Sequence, residues 1–129
     1  MSDQLSSPSV QPVNLWTPRL IMFITFVIGF PSGIGLASIN WVRMGLMSKA
    51  IAHLIAGVVS FFILLMIPGV AGRVIGILAN IGILTYLHIQ MKNDIEKFKA
   101  ANHQVQNANW LIGGLIGLGI LGILLVLYF

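Results

Sequence analysis

Residues Ala50–Met91 read AIAHLIAGVVSFFILLMIPGVAGRVIGILANIGILTYLHIQM. Two apolar runs, Ala50–Ile67 and Val74–Met91, flank Pro68-Gly69-Val70-Ala71-Gly72-Arg73, and neither run contains an acid, a lysine or an arginine. Each run is long enough to cross most of the roughly 30 Å hydrocarbon layer at about 1.5 Å per residue. A proline that stops a helix and two glycines between them predict a tight turn, so the runs form an antiparallel hairpin of membrane helices.

Two more apolar runs flank this hairpin, Leu20–Ile39 and Trp110–Phe129. The reading is therefore an all-α integral membrane protein with four transmembrane helices, a bundle covering residues 18–129, preceded by a polar, disordered tail over residues 1–17. The tail holds Asp3 as its only side-chain charge, unlike the basic start of a secretory signal, so the first run is expected to be a retained span. Composition agrees. The 129 residues are 57% apolar and 8% charged, against about 25% charged in soluble domains. With no cysteine, disulfides and thiolate metal sites are excluded. The net charge of +4 comes from basic residues beside apolar runs, a membrane pattern rather than a nucleic-acid one.

Basic residues set the expected orientation. Arg43, Lys49, Lys92, Lys97 and Lys99 fall in the first and third loops, and Arg19 and Arg73 on the other side. The five-to-two bias places those loops in the cytoplasm and both termini outside it. Trp16, Trp41 and Trp110 are expected at headgroup level. From Lys92 to Gln104 there is no proline or glycine, so the third helix is expected to continue to about Ala101 as a cytoplasmic extension. Its stripe of Ile95, Phe98, Ala101 or Asn102, and Val105 would lie on headgroups, on a partner, or along a plain solvated helix.

Small residues are the most frequent motif. Gly29/Gly33, Gly72/Gly76 and Gly113/Gly117 are GxxxG pairs, and Ala52, Ala56 and Ser60 form a similar ladder. Small residues let backbones approach closely in lipid, either within one bundle or between subunits. The last run also holds Gly114, Gly119 and Gly122, and one of its faces is expected inside the bundle and the other against a second chain.

Polar candidates are few. His53 and His88 lie at matching depth on the two hairpin helices, where facing imidazoles would ligate haem, a chlorophyll-type pigment or a metal, or else bond water or carbonyls. Asn80 and Ser60 also match in depth and are expected to pair, since an unpaired amide in hydrocarbon is costly. Pro31 is expected to kink the first span. Asp3, Asp94 and Glu96 all fall outside the spans, which argues against carboxylate-coupled transport. No nucleophile–base pair, phosphate loop or carboxylate pair points to an enzyme. The expected role is a non-enzymatic accessory or scaffolding protein without a cofactor, embedded in lipid and self-associating or part of a larger membrane complex. The alternatives are a cofactor-binding subunit using the two histidines and a small transporter or channel.

Thr17-Pro18-Arg19, then Gly29, Pro31 and Gly33, then Asn40-Trp41-Val42-Arg43-Met44-Gly45 and Lys49 carry a resemblance. The chain resembles a group of small uncharacterised bacterial multi-pass membrane proteins, whose pattern runs Ser-Pro-Arg, an apolar stretch with Gly-Gly-Pro and Gly, then Asn-aromatic-x-x-Leu-Gly and basic residues. The likeness extends more weakly to Pro68, His103 and Trp110. Thr17 stands for the serine, Phe30 for the second glycine and Met44 for the leucine. The resemblance implies a bacterial inner membrane and no known activity, and its pattern does not include His53 or His88.

Overall fold

The computed structural model describes residues 11–129. In chain order these form β1 (Val13–Leu15), α1 (Pro18–Val27), α2 (Phe30–Arg43), α3 (Met47–Leu65), α4 (Gly69–Ala100), β2 (Val105–Asn107) and α5 (Trp110–Tyr128). Three of the helices, α3, α4 and α5, are long and apolar enough to cross a membrane.

The expected first span, Leu20–Ile39, is not one helix. The chain breaks at Ile28-Gly29, where Gly29 has φ 129° and ψ 162°, a conformation open in practice only to glycine. Pro31 then sits in the first turn of α2, where a missing N–H costs nothing. The result is a reversal rather than a kink. A Cβ on Gly33 would lie against the Thr25 side chain, so α1 and α2 run back along each other with no side chain between their backbones there. Trp16, just before α1, meets Asn40 near the end of α2. Residues 18–43 are thus a helical hairpin that enters the bundle and leaves at the end where it entered. At about 1.5 Å per residue its arms are roughly 15 and 21 Å long, short of a full crossing.

This hairpin is the core. Eleven of the fourteen residues of α2 are buried, and α1, α3, α4 and α5 all pack on it. α4 rests mainly on α1 and touches α3 only lightly, so the two helices of the expected central hairpin are antiparallel but splayed. Their turn is also shorter than expected. α4 begins at Gly69 (φ 71°), which puts Gly72 and Arg73 in the helix.

The base of the hairpin corrects two further expectations. Residues 13–15 are not part of a disordered tail; β1 pairs in parallel with β2, in the register Val13↔Val105, Asn14↔Gln106 and Leu15↔Asn107. The rest of that tail, residues 1–10, lies outside the described residues. Trp16 (1% exposed) and Trp41 (0%) point inward, and only Trp110 (66%) faces out. The first and last described elements lie at opposite ends of the bundle. β1 is held beside β2, and α5 then carries the chain to the far end at Phe129.

α4 is helical without interruption from Gly69 to Ala100, about 48 Å of helix, longer than the hydrocarbon layer. Ile95 is buried and Phe98 packs against the core, so this part of the expected stripe covers the protein's own hairpin base. Asn102 (φ 66°) ends the helix and Val105 belongs to β2.

Because the chain has no cysteine, single cysteines report sidedness directly. Gln11→Cys and Tyr128→Cys are expected to react with an impermeant maleimide from opposite faces of the membrane. Labelling of both from the same face would refute the hairpin reversal.

Candidate functional site

Polar side chains gather at the base of the hairpin. Asn40 is fully buried, and it grips both polar groups of the Trp16 peptide. Its Oδ1 accepts from the Trp16 N–H at 3.0 Å, and its Nδ2 donates to the Trp16 carbonyl at 2.8 Å. The amide also reaches Met91 Sδ on α4 at 3.5 Å. Trp16 Nε1 donates to the Asn109 carbonyl at 3.0 Å, and Arg43 stacks over the Trp16 ring at 4.7 Å while donating to the Asn14 carbonyl at 2.8 Å. The entry and exit of the hairpin are closed on each other by these contacts.

A second network joins α2, α3 and α4. Asp94 Oδ2 accepts from Trp41 Nε1 at 2.7 Å and pairs with Lys49 Nζ, which also reaches Gln90 Oε1 at 2.9 Å. Lys49 lies over the Trp41 ring, 5.1 Å from its centroid. One carboxylate, one ammonium and one indole thus satisfy each other at the bundle end, with the Asp94 side chain largely shielded. Such mutual satisfaction is what partial desolvation of a charge demands.

His53 is absorbed into the same assembly. Its Nδ1 meets the Lys49 carbonyl at 2.7 Å, its Nε2 meets the Tyr86 hydroxyl at 2.9 Å, and its ring leans on Trp41 at 4.4 Å. The expected His53–His88 pair does not form. His88 lies two residues beyond Tyr86, about 200° further round α4, and its buried Nδ1 has no hydrogen-bond partner among the described residues. With both His53 nitrogens engaged, the two imidazoles are not arranged as paired ligands. His103 stacks on Phe98 at 4.3 Å.

Asn80 and Ser60 do not meet. Ser60 borders a small cavity beneath the His53–Tyr86 pair, beside Ala56, Gly57 and Leu87. Asn80 faces a different cavity of about 640 Å³ at the hairpin tip, bordered by Gly29, Phe30, Pro31, Arg73 and Leu121. Its Oδ1 is buried without a partner among the described residues. Matched depth placed both residues at one level, but with α3 and α4 touching only lightly the two face different cavities.

The glycines named from the sequence divide four ways. Gly29 makes the reversal. Gly33, Gly113 and Gly117 are contact points: Gly113 lies under the Trp16 indole, and Gly117 meets Ile24, Ile28 and Ser32, whose hydroxyl donates to the Gly117 carbonyl at 2.6 Å. Gly72 sits beneath the Ile67 carbonyl. At Gly76, Gly114, Gly119 and Gly122 an added Cβ would meet no atom within 4 Å. Two close contacts escaped sequence reading, Gly35 against Ile120 and Gly57 against Ile34, because neither belongs to a GxxxG pair. Asn40 was visible only as part of the resemblance; a lone asparagine beside a tryptophan carries no signal of a peptide clamp.

No family model matches this chain, and no curated protein or solved structure is similar to it. Asn40→Ala leaves two buried peptide groups unpaired and is expected to cost roughly 2–5 kcal/mol. Tyr86→Phe removes one accessible bond and is expected to cost less than about 1.5 kcal/mol. Thermal unfolding in detergent gives the order. Equal stability of Asn40→Ala and the parent would show that the clamp is dispensable.

Proposed function

We propose that this is a non-enzymatic integral membrane protein acting as an accessory or scaffolding subunit, associating with itself or with a larger membrane complex through the outer face of α5. The observation that supports this is the division of glycines on α5. Gly113 and Gly117 contact the chain's own hairpin, while Gly114, Gly119 and Gly122 fall within about 140° on the other side of the helix, where an added Cβ would meet no atom within 4 Å. Lipid gains nothing from missing side chains, whereas a second helix gains close backbone approach.

The hairpin reversal also strengthens the basic asymmetry. It moves Arg19 to the end that holds Arg43, Lys49, Lys92, Lys97 and Lys99, a six-to-one bias against Arg73. We place that end in the cytoplasm, with β1, β2 and the last turns of α4 as a cytoplasmic cap and Phe129 on the far side. The resemblance to small bacterial proteins makes the inner membrane the proposed location. The small transporter or channel reading is supported by one feature, a broken helix pair whose tip borders the cavity that holds Asn80 and Arg73, since discontinuous membrane helices line solute sites elsewhere. A haem, pigment or metal role for His53 and His88 gains no support from their separation.

Two substitutions on α5 separate assembly from folding. Gly117→Leu collides with Ile24 and Ser32 and is expected to lower stability by about 1–3 kcal/mol or more. Gly122→Leu meets open space and is expected to leave stability unchanged while shifting the native-gel species to a smaller size. Migration of Gly122→Leu like the parent would reject assembly through this face. For the transport reading, anion or cation flux into proteoliposomes is expected to fall with Asn80→Leu; absence of flux in the parent would reject it.

A further inference from the structure

α3 and α5 both pack on α2 but not closely on each other. The gap between them is a groove made of two adjoining cavities that share Leu54 and Ile120. One, of about 470 Å³, runs from Arg43 past Ile39 to Gly35. The other, of about 150 Å³, continues to Pro31 and Leu124. The floor is therefore α2 from its exit end almost to the hairpin tip, about 18 Å of helix at 1.5 Å per residue. That length is close to one leaflet, about half of the 30 Å hydrocarbon layer.

Chemistry narrows the occupant. Apart from Arg43 the only polar side chain on the groove is Ser38, whose hydroxyl donates to the Ala50 carbonyl. Water needs two to four polar partners and finds none here. A single hydrocarbon chain fits its length and width. At the headgroup end Arg43 uses one N–H for the Asn14 carbonyl, which leaves other donors of its five. It has no acidic partner: among the described residues the one ion pair is Lys49–Asp94. Arg43 lines the mouth of the groove with its aliphatic stem, since the lining is almost wholly apolar, and its guanidinium lies past that mouth over the Trp16 ring, where the phosphate joined to an acyl chain would meet it.

We propose that this groove binds one acyl chain of an anionic phospholipid from the leaflet at the basic end, with the lipid phosphate on Arg43. The site is independent of the α5 outer face and of any assembly through it. Native mass spectrometry of the full chain in detergent, titrated with dioleoyl phosphatidylglycerol or dioleoyl phosphatidylcholine, tests it. The parent is expected to hold one phosphatidylglycerol about tenfold more tightly than phosphatidylcholine, the scale of one charge-assisted contact. Arg43→Gln is expected to erase that preference. Because Arg43 also steadies β1, a second variant leaves it untouched. Leu54→Trp fills the groove where its two parts join and is expected to abolish retention of both lipids without lowering thermal stability. Equal retention of both lipids by the parent, an unchanged preference in Arg43→Gln, unchanged retention in Leu54→Trp, or a dimer that forms only as lipid is lost would each overturn the proposal.

Discussion

Inside a bilayer every buried peptide group needs a partner within the protein, and the Asn40 side chain supplies that partner at the one place where the backbone enters and leaves the bundle on the same side. The two hydrogen bonds between Asn40 and the Trp16 peptide join positions that a straight span would set far apart. With the base of the hairpin closed in this way, β1 is positioned to pair with β2, Trp16 reaches over Gly113, and Arg43 can stack on Trp16. The rest of the fold is arranged around these contacts.

The hairpin also explains why the middle of this protein is built from residues that are small or polar. α2 contributes Ser32, Gly33, Gly35, Ala37, Ser38 and Asn40 to the buried centre, while the strongly apolar α3, α4 and α5 surround it with exposed Val, Ile and Leu. In water the arrangement would be inverted. In lipid, hydrophobicity does not drive helices together, so the centre goes to the helix that neighbours can approach most closely and whose hydroxyls can bond across: Ser32 to Gly117 and Ser38 to Ala50.

At the base, most chemistry-bearing side chains already have structural partners. Lys49, Asp94, Trp41 and Gln90 answer one another, and His53 is held between a carbonyl and Tyr86. What stays open is Arg43 at the mouth of the α3–α5 groove, Asn80 at the hairpin tip, the buried Nδ1 of His88 and the outer glycine face of α5.

A membrane setting, the helical class and the approximate extent of α3, α4 and α5 were legible in the amino-acid sequence, because unbroken apolar runs of spanning length with basic ends admit no other low-energy arrangement in a bilayer. The sequence also showed the breaker-free stretch beyond Lys92. It did not disclose the hairpin. Leu20–Ile39 has the length and polarity of a span, and whether a Gly-x-Pro-x-Gly stretch bends or reverses depends on what its two arms pack against: Gly33 on Thr25, Asn40 on Trp16, and α2 among α3, α4 and α5. That choice then decided the direction of the N-terminal strand, the inward turn of Trp16 and Trp41, and the separation of Asn80 from Ser60. Depth along a helix can be counted in residues, but the face a residue presents depends on which neighbours surround the helix, and only the packed structure supplies them.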